Sequence, residues 1–227
     1  MVWGIYIFDR IFDSFRFPLI EATPRRHLFA KKGRFVLFGL SAVAMGAAGV
    51  FILPHVSWDL VEAAIFPGIL CLLYFVVFRF VKQSSENAFP AKELVIGFCF
   101  ASGVMVASGA RFPAPPSLMI EAALAALFAG NCLIIGWAER EYDGELDAAA
   151  FYGKNRAGLL IPKVLFSLAA VLGGLLCLSH SLPFIGGALV VCTVLQLGCR
   201  KWAGTELMQP LADGSLLFPW ILLLFFG

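Results

Sequence analysis

Two groups of carboxylate side chains follow a four-residue spacing, which places side chains on one face of a helix. Asp9 and Asp13 form the first group, and Glu139, Asp143 and Asp147 form the second. Acids on facing helices are an arrangement that holds Mg²⁺, because Mg²⁺ prefers carboxylate and water oxygens and often shares its shell with a substrate phosphate. The two groups therefore predict a Mg²⁺ site for a phosphorylated substrate.

The same spacing also arises by chance, since acids in the inner loops of membrane proteins are often simply solvated. Like charges four residues apart destabilise a helix slightly unless a cation compensates them, which favours a bound ion. Basic side chains near the acids would neutralise diphosphate oxygens, arginine through paired hydrogen bonds and lysine as a point charge. These basic residues are Arg25, Arg26, Lys92, Lys154 and Arg156.

The elements that must position these acids are apolar. Of the 227 residues, 60% are hydrophobic and only 14% are charged, too few to cover the core of a soluble domain of this length. We expect an all-α, polytopic transmembrane bundle that forms one integral membrane domain over residues 1–227. The net charge of +2 does not indicate a nucleic-acid partner, because the basic residues flank apolar stretches. The six cysteines lack CxxC spacing and are interpreted as small core residues.

Seven apolar stretches reach, or nearly reach, the roughly 20 residues that a helix needs to cross a bilayer. Residues 1–13 are too short to cross and form a half-span or an interfacial helix. Sixteen of the 17 Lys and Arg residues fall on one side of these spans, and Arg111 is the exception. The positive-inside rule then makes the N-terminus and both acidic groups cytoplasmic. We expect a multi-pass protein of the inner membrane of a bacterium. The predicted spans are 34–53, 58–81, 91–111, 117–138, 158–179, 183–199 and 208–226.

Both acidic segments resemble motifs of one family. Ile5-Tyr6-Ile7-Phe8-Asp9-Arg10-Ile11-Phe12-Asp13 resembles NDxxDxxxD, the first aspartate-rich motif of the UbiA superfamily of intramembrane prenyltransferases, with Ile5 and Tyr6 in place of the Asn and the first Asp. Glu139-Arg140-Glu141-Tyr142-Asp143 resembles the family's second motif, DxxxD, with Glu139 in place of an Asp. Four predicted spans separate the motifs and three follow, as in a nine-helix member that lacks its first helix and part of its second.

The resemblance implies a UbiA-like fold and a Mg²⁺-dependent transfer of an isoprenyl group from an isoprenyl diphosphate to an aromatic or lipid acceptor. The residues that it implies as metal ligands are Asp9, Asp13, Glu139 and Asp143, with Asp147 as a further candidate. Those that would contact the diphosphate are Arg10, Lys92 and Arg140, supplemented by Arg25, Arg26, Lys154 and Arg156. Tyr6 would lie beside the acids, and Asn131 would line the pocket near the reacting carbon. A helix–helix hydrogen bond is the alternative role for Asn131.

Other functions stay open. A catalytically divergent UbiA-like protein would bind a lipid or a protein partner, and a terpene cyclase of the same type would use the same site. A partner helix would replace the missing first span. The oligomeric state stays open, with a homo-oligomer as one alternative. A transporter is disfavoured, because we identify no inverted second half and no ionisable residue in mid-membrane outside the helix of the second motif. The DGxxAR signature of CDP-alcohol phosphotransferases is absent, since Glu145-Leu146-Asp147-Ala148 follows Asp143-Gly144.

Overall fold

The computed structural model describes residues 15, 25–51, 53–80, 90–108, 115–140, 160–179, 182–199 and 210–217. The regular structure of these residues is entirely helical, which confirms the all-α class. The helices are α1 (Arg25–Phe51), α2 (Trp58–Phe80), α3 (Ala91–Ala107), α4 (Pro115–Ala138), α5 (Leu160–Leu178) and α6 (Pro183–Cys199), with a 3₁₀ turn at Leu53–His55 between the first two. A further helical segment, α7, covers 210–217.

Helices α1 to α6 lie where the sequence predicts apolar spans. The clearest difference is at α1, which begins at Arg25 rather than at residue 34. Arginine and lysine are good helix formers, so the basic segment before the apolar run continues the same helix. Within the described residues, three helices are long and apolar enough to cross a membrane, over Lys31–Phe51, Pro115–Ala138 and Leu160–Leu178. The total of seven spans stays a prediction.

The chain divides into two compact units, Met1–Phe66 and Pro67–Gly227. In the first unit, α1 presents large apolar side chains outward, and Phe35 and Phe51 are 72% and 73% exposed. Such a surface would be unfavourable in water, whereas lipid tails cover it without cost. The exposed apolar surface therefore agrees with a helix that lies in a bilayer.

In the second unit, small residues bring the backbones of α3 and α4 close together. A Cβ atom on Gly97 would lie 2.6 Å from the backbone nitrogen of Ala129 and 2.7 Å from the carbonyl oxygen of Ala125. Later on α3, the Ser102 hydroxyl donates a 2.7 Å hydrogen bond to the carboxylate of Glu121, which precedes Ala125 on α4. These contacts show that α3 and α4 are antiparallel, so the beginning of α3 lies beside the last third of α4.

Helices α5 and α6 pack in the same manner. A Cβ atom on Gly173 would lie 2.9 Å from the carbonyl oxygen of Gly186, and Phe166 of α5 fills the space beside Gly130 of α4. Phe166 is fully buried in a core that also contains Leu127 of α4 and Leu189 of α6. Close approach at small residues is how helices associate in membranes, where no hydrophobic force drives them together.

Candidate functional site

A chain of buried polar side chains links α4, α6 and α7 near the ends of α4 and α6. Gln196 of α6 donates through Nε2 to the Oδ1 atom of Asn131 at 3.0 Å and to the carbonyl oxygen of Ala212 at 2.8 Å. Asn131 then donates through Nδ2 to Oδ1 of Asp213 at 3.0 Å. Gln196 is fully buried and Asn131 is 6% exposed, so this polar network lies inside an otherwise apolar bundle.

The direction of the hydrogen bonds follows from the backbone. The carbonyl of Ala212 can only accept, so Gln196 must present its nitrogen there. The same nitrogen reaches Asn131, which therefore presents its oxygen to Gln196 and its nitrogen to Asp213. The network thus begins at a backbone carbonyl and ends at a carboxylate.

The network leaves hydrogen-bond acceptors unused. Both N–H groups of Gln196 are occupied, but its Oε1 atom is buried and has no hydrogen-bond partner. Asp213 is only partly buried and accepts one hydrogen bond from Asn131. The nearby hydroxyls do not serve these acceptors, because Thr193 donates to the Leu189 carbonyl at 2.9 Å and Ser215 to the Ala212 carbonyl at 2.7 Å.

The sequence predicts a helix–helix hydrogen bond as the alternative role of Asn131, and the structure shows such bonds to Gln196 and Asp213. Whether it also lines a substrate pocket stays a prediction. Glu139 lies at the end of the same helix, where its backbone N–H donates to the Ile135 carbonyl at 3.0 Å. Eight residues at a rise of about 1.5 Å per residue put Glu139 about 12 Å from Asn131 along the helix axis. Helix α4 therefore carries an interior polar group and, at its end, the first acid of the second motif.

Arg140 turns back onto the end of α4. Its guanidinium donates from Nη1 to the Trp137 carbonyl at 3.0 Å and lies 4.9 Å from the centroid of the Trp137 ring. A contact with diphosphate would compete with these two interactions. Lys92 lies in the first turn of α3, which the antiparallel packing brings beside the last third of α4.

Most of the predicted metal and diphosphate ligands fall outside the described residues. These are Tyr6, Asp9, Arg10, Asp13, Asp143, Asp147, Lys154 and Arg156. Arg25 and Arg26 begin α1, and their side chains are also outside the described set. Among the side chains that are described, no three His, Cys, Asp or Glu residues form a group that could hold a metal ion.

Phe15, two residues after Asp13 in the sequence, contacts Arg34 and Phe35 of α1. The guanidinium carbon of Arg34 lies 4.6 Å from the centroid of the Phe15 ring and 5.0 Å from that of Phe35. The two rings meet edge to face at 6.4 Å. Arg34 is the first residue of the predicted span 34–53, so Phe15 lies at the end of that span that the charge distribution predicts to be cytoplasmic.

Sequence reasoning missed Gln196 and Asp213. The expectation that mid-membrane holds no ionisable residue outside the helix of the second motif stays a prediction. Asp213 lies near the beginning of the predicted apolar stretch 208–226. A lone acid inside such a stretch is itself a signal, because an ionisable residue at membrane depth is costly and commonly functional. Asn131 and Gln196 are 65 positions apart in the sequence, so no periodic pattern predicts the hydrogen bond between them.

Comparison of the chain with protein-family models, with curated proteins and with solved structures gives no match.

Proposed function

We propose that this chain is a Mg²⁺-dependent intramembrane prenyltransferase of the UbiA type, which transfers an isoprenyl group from an isoprenyl diphosphate to an aromatic or lipid acceptor. The observation that carries the proposal is on α4. One helix bears the first acid of the second motif at its end and, about 12 Å deeper, Asn131 in a polar network. A prenyltransferase needs this combination: charged residues at the membrane surface that bind the diphosphate, and a polar residue in the apolar interior.

In the N-terminal unit, the guanidinium of Arg34 lies over the ring of Phe15. Phe15 follows Asp13 by two residues in the sequence, and Arg34 is the last residue of the basic segment with which α1 begins. We propose that this end of α1 and the Glu139 end of α4 both lie at the cytoplasmic face of a bacterial inner membrane. The placement of nearly all basic residues on one side of the predicted spans supports this orientation.

The roles of the residues follow from charge and position. Asp9, Asp13, Glu139 and Asp143 would hold Mg²⁺, with Asp147 as a further ligand. A Mg²⁺ ion held by these residues would supply positive charge to offset the charge of the leaving diphosphate. Lys92 and the loop residues Lys154 and Arg156 would add cationic contacts to the diphosphate oxygens.

The apolar interior has its own task in this proposal. Helices α3 to α6 would hold the isoprenoid tail and keep water away from the allylic carbon. As the bond from that carbon to the diphosphate oxygen breaks, a bond to the acceptor forms, and the acceptor loses a proton. Exclusion of water is needed because water would otherwise capture the allylic cation.

Pyrophosphate release tests the proposal. Protein purified in detergent is incubated with Mg²⁺, labelled farnesyl or geranylgeranyl diphosphate and a lipid extract that supplies acceptors. We expect release with the unaltered chain, and its loss in Asp9→Ala and Asp143→Ala. Asp59→Ala is the matched control, because Asp59 is exposed in the first turn of α2, at the predicted outer end of a span. Absence of release with donors of every length from folded protein would refute the proposal.

A UbiA-like protein that binds without catalysis is the second candidate. It is favoured by Ile5 and Tyr6 at two positions of the first motif, and by the attachment of Arg140 to the Trp137 carbonyl. This candidate binds a lipid or a protein partner. A rise in melting temperature with Mg²⁺ and an isoprenyl diphosphate tests only whether the diphosphate site exists, because a ligand that binds only the folded state stabilises it. No pyrophosphate is released in that case.

A further inference from the structure

We propose that Gln196 and Asp213 form a site, inside the membrane-spanning bundle, for the hydrogen-bond-donating head group of an apolar ligand. The head group is a hydroxyl or an ammonium. The site does not depend on the prenyltransferase activity. If that activity is present, its ligand is the acceptor substrate, which then carries a hydroxyl or an amine.

The balance of donors and acceptors carries the inference. The amide nitrogen of Gln196 uses both of its N–H groups, on Asn131 and on the Ala212 carbonyl. What remains is a buried carbonyl oxygen of Gln196 without a partner and a carboxylate of Asp213 that accepts from Asn131. Both unused groups are acceptors, so a ligand that completes the network must bring donors.

A purely structural network would satisfy its own members. The Ser102–Glu121 pair between α3 and α4 does so more nearly, because a hydroxyl donates directly to the carboxylate at 2.7 Å. Gln196 differs, since its carbonyl oxygen is buried without any donor, and a buried acceptor without a donor destabilises the folded state. Packing of α6 alone would favour an apolar residue of similar size at this position.

The residues around Gln196 indicate the chemistry of the ligand beyond its head group. Cys192 and Cys199, about one turn to either side of Gln196 on α6, are buried, and Leu216 packs against the same core. Asp213 is partly exposed, so a ligand reaches the network from the side of α7. A body without polar groups fits these surroundings, because each polar group that it placed there would lack a partner.

Ligand-induced stabilisation of the full chain in detergent provides the test. The probes are para-nonylphenol, dodecylamine and para-nonylanisole, the last of which keeps the tail and the oxygen but has no donor. We expect the phenol, the amine or both to raise the melting temperature in a saturable manner, and the anisole to have no effect. The choice between phenol and amine identifies the head group.

Two variants locate the effect. Gln196→Met keeps the volume of the side chain and removes its carbonyl, and Asp213→Asn keeps one acceptor oxygen for Asn131 while it removes the charge. We expect each variant to bind the effective probe at least about tenfold more weakly, as the loss of one hydrogen bond to a charged or buried group predicts. Thr193→Val is the matched control, because Thr193 is buried on the same helix but donates only to the Leu189 carbonyl.

Each result supports or refutes the proposal independently of pyrophosphate release. Equal shifts with phenol, amine and anisole show partition into the micelle and overturn it. A phenol or amine shift that survives unchanged in both Gln196→Met and Asp213→Asn places binding elsewhere and overturns it as well. If one variant does not fold, the other still shows whether binding depends on the network, and the comparison of phenol with anisole in the unaltered chain is unaffected.

Discussion

Replacement of Gly186 by alanine should separate α5 from α6. A Cβ atom on Gly186 would lie 2.8 Å from both the backbone nitrogen and the Sγ atom of Cys177, and even closer to the Gly173 carbonyl oxygen. Ordinary contacts to carbon lie near 3.5–4.0 Å, so the two helices must move apart by roughly 1 Å. The obstructing atoms are mostly backbone, which cannot rotate away as the end of a side chain would.

The expected cost follows from that rigidity. Overpacking of a core costs about 1–3 kcal/mol, and α5 and α6 lose contacts along their whole shared length when they separate. We therefore expect Gly186→Ala to lower the free energy of unfolding by about 1–3 kcal/mol. The assay is equilibrium unfolding by SDS in mixed micelles, followed by far-ultraviolet circular dichroism.

The next residue supplies the control. A Cβ atom on Gly187 would meet nothing within 4 Å, so Gly187→Ala adds a methyl group without a clash. Alanine is a better helix former than glycine by about 1 kcal/mol, so this variant should be neutral or slightly more stable. Equal destabilisation by the two substitutions would refute the close packing of α5 on α6.

Two further predictions use the same unfolding assay. Asn131→Leu should lower the free energy of unfolding by about 2–4 kcal/mol, because one N–H of Gln196 loses its acceptor and the Asp213 carboxylate loses its donor. The control Thr193→Val should change the free energy of unfolding by less than about 1 kcal/mol. Ser102→Ala should cost about 1–3 kcal/mol by removing the donor to Glu121, and the loss should be smaller in a Glu121→Leu background, where no carboxylate needs that donor. Additive losses at Ser102 and Glu121 would contradict the hydrogen bond between them.

The positions of the helices could be predicted from sequence because each apolar run is long and is bounded by proline, glycine or charge. The same reasoning did not predict how the helices pack. Gly186 and Gly187 are neighbours of identical type, yet only Gly186 contacts α5 closely, since contact depends on the rotation of α6 about its axis. Sequence alone does not set that rotation when a helix is apolar on every face.

The site was predicted in part. Asn131 could be identified from sequence as a polar residue on an apolar helix, and the structure shows that it bonds to Gln196 and Asp213. Those two lie on separate helices, each in a mostly apolar run. Periodicity identifies residues that share one helix, whereas contacts between distant helices need the three-dimensional arrangement. Asp213 could have been identified by its cost in a membrane.

The convergence of the two acidic motifs is the central claim, and a distance between them tests it most directly. Spin labels are placed at Arg10→Cys and Gly144→Cys in a chain whose six native cysteines are replaced, and the distance is measured by double electron–electron resonance in nanodiscs. The account predicts a single distance well below the roughly 30 Å thickness of the hydrocarbon core. A distance of about 30 Å or more would place the motifs on opposite faces of the bilayer or far apart on one face, and would contradict a shared metal site.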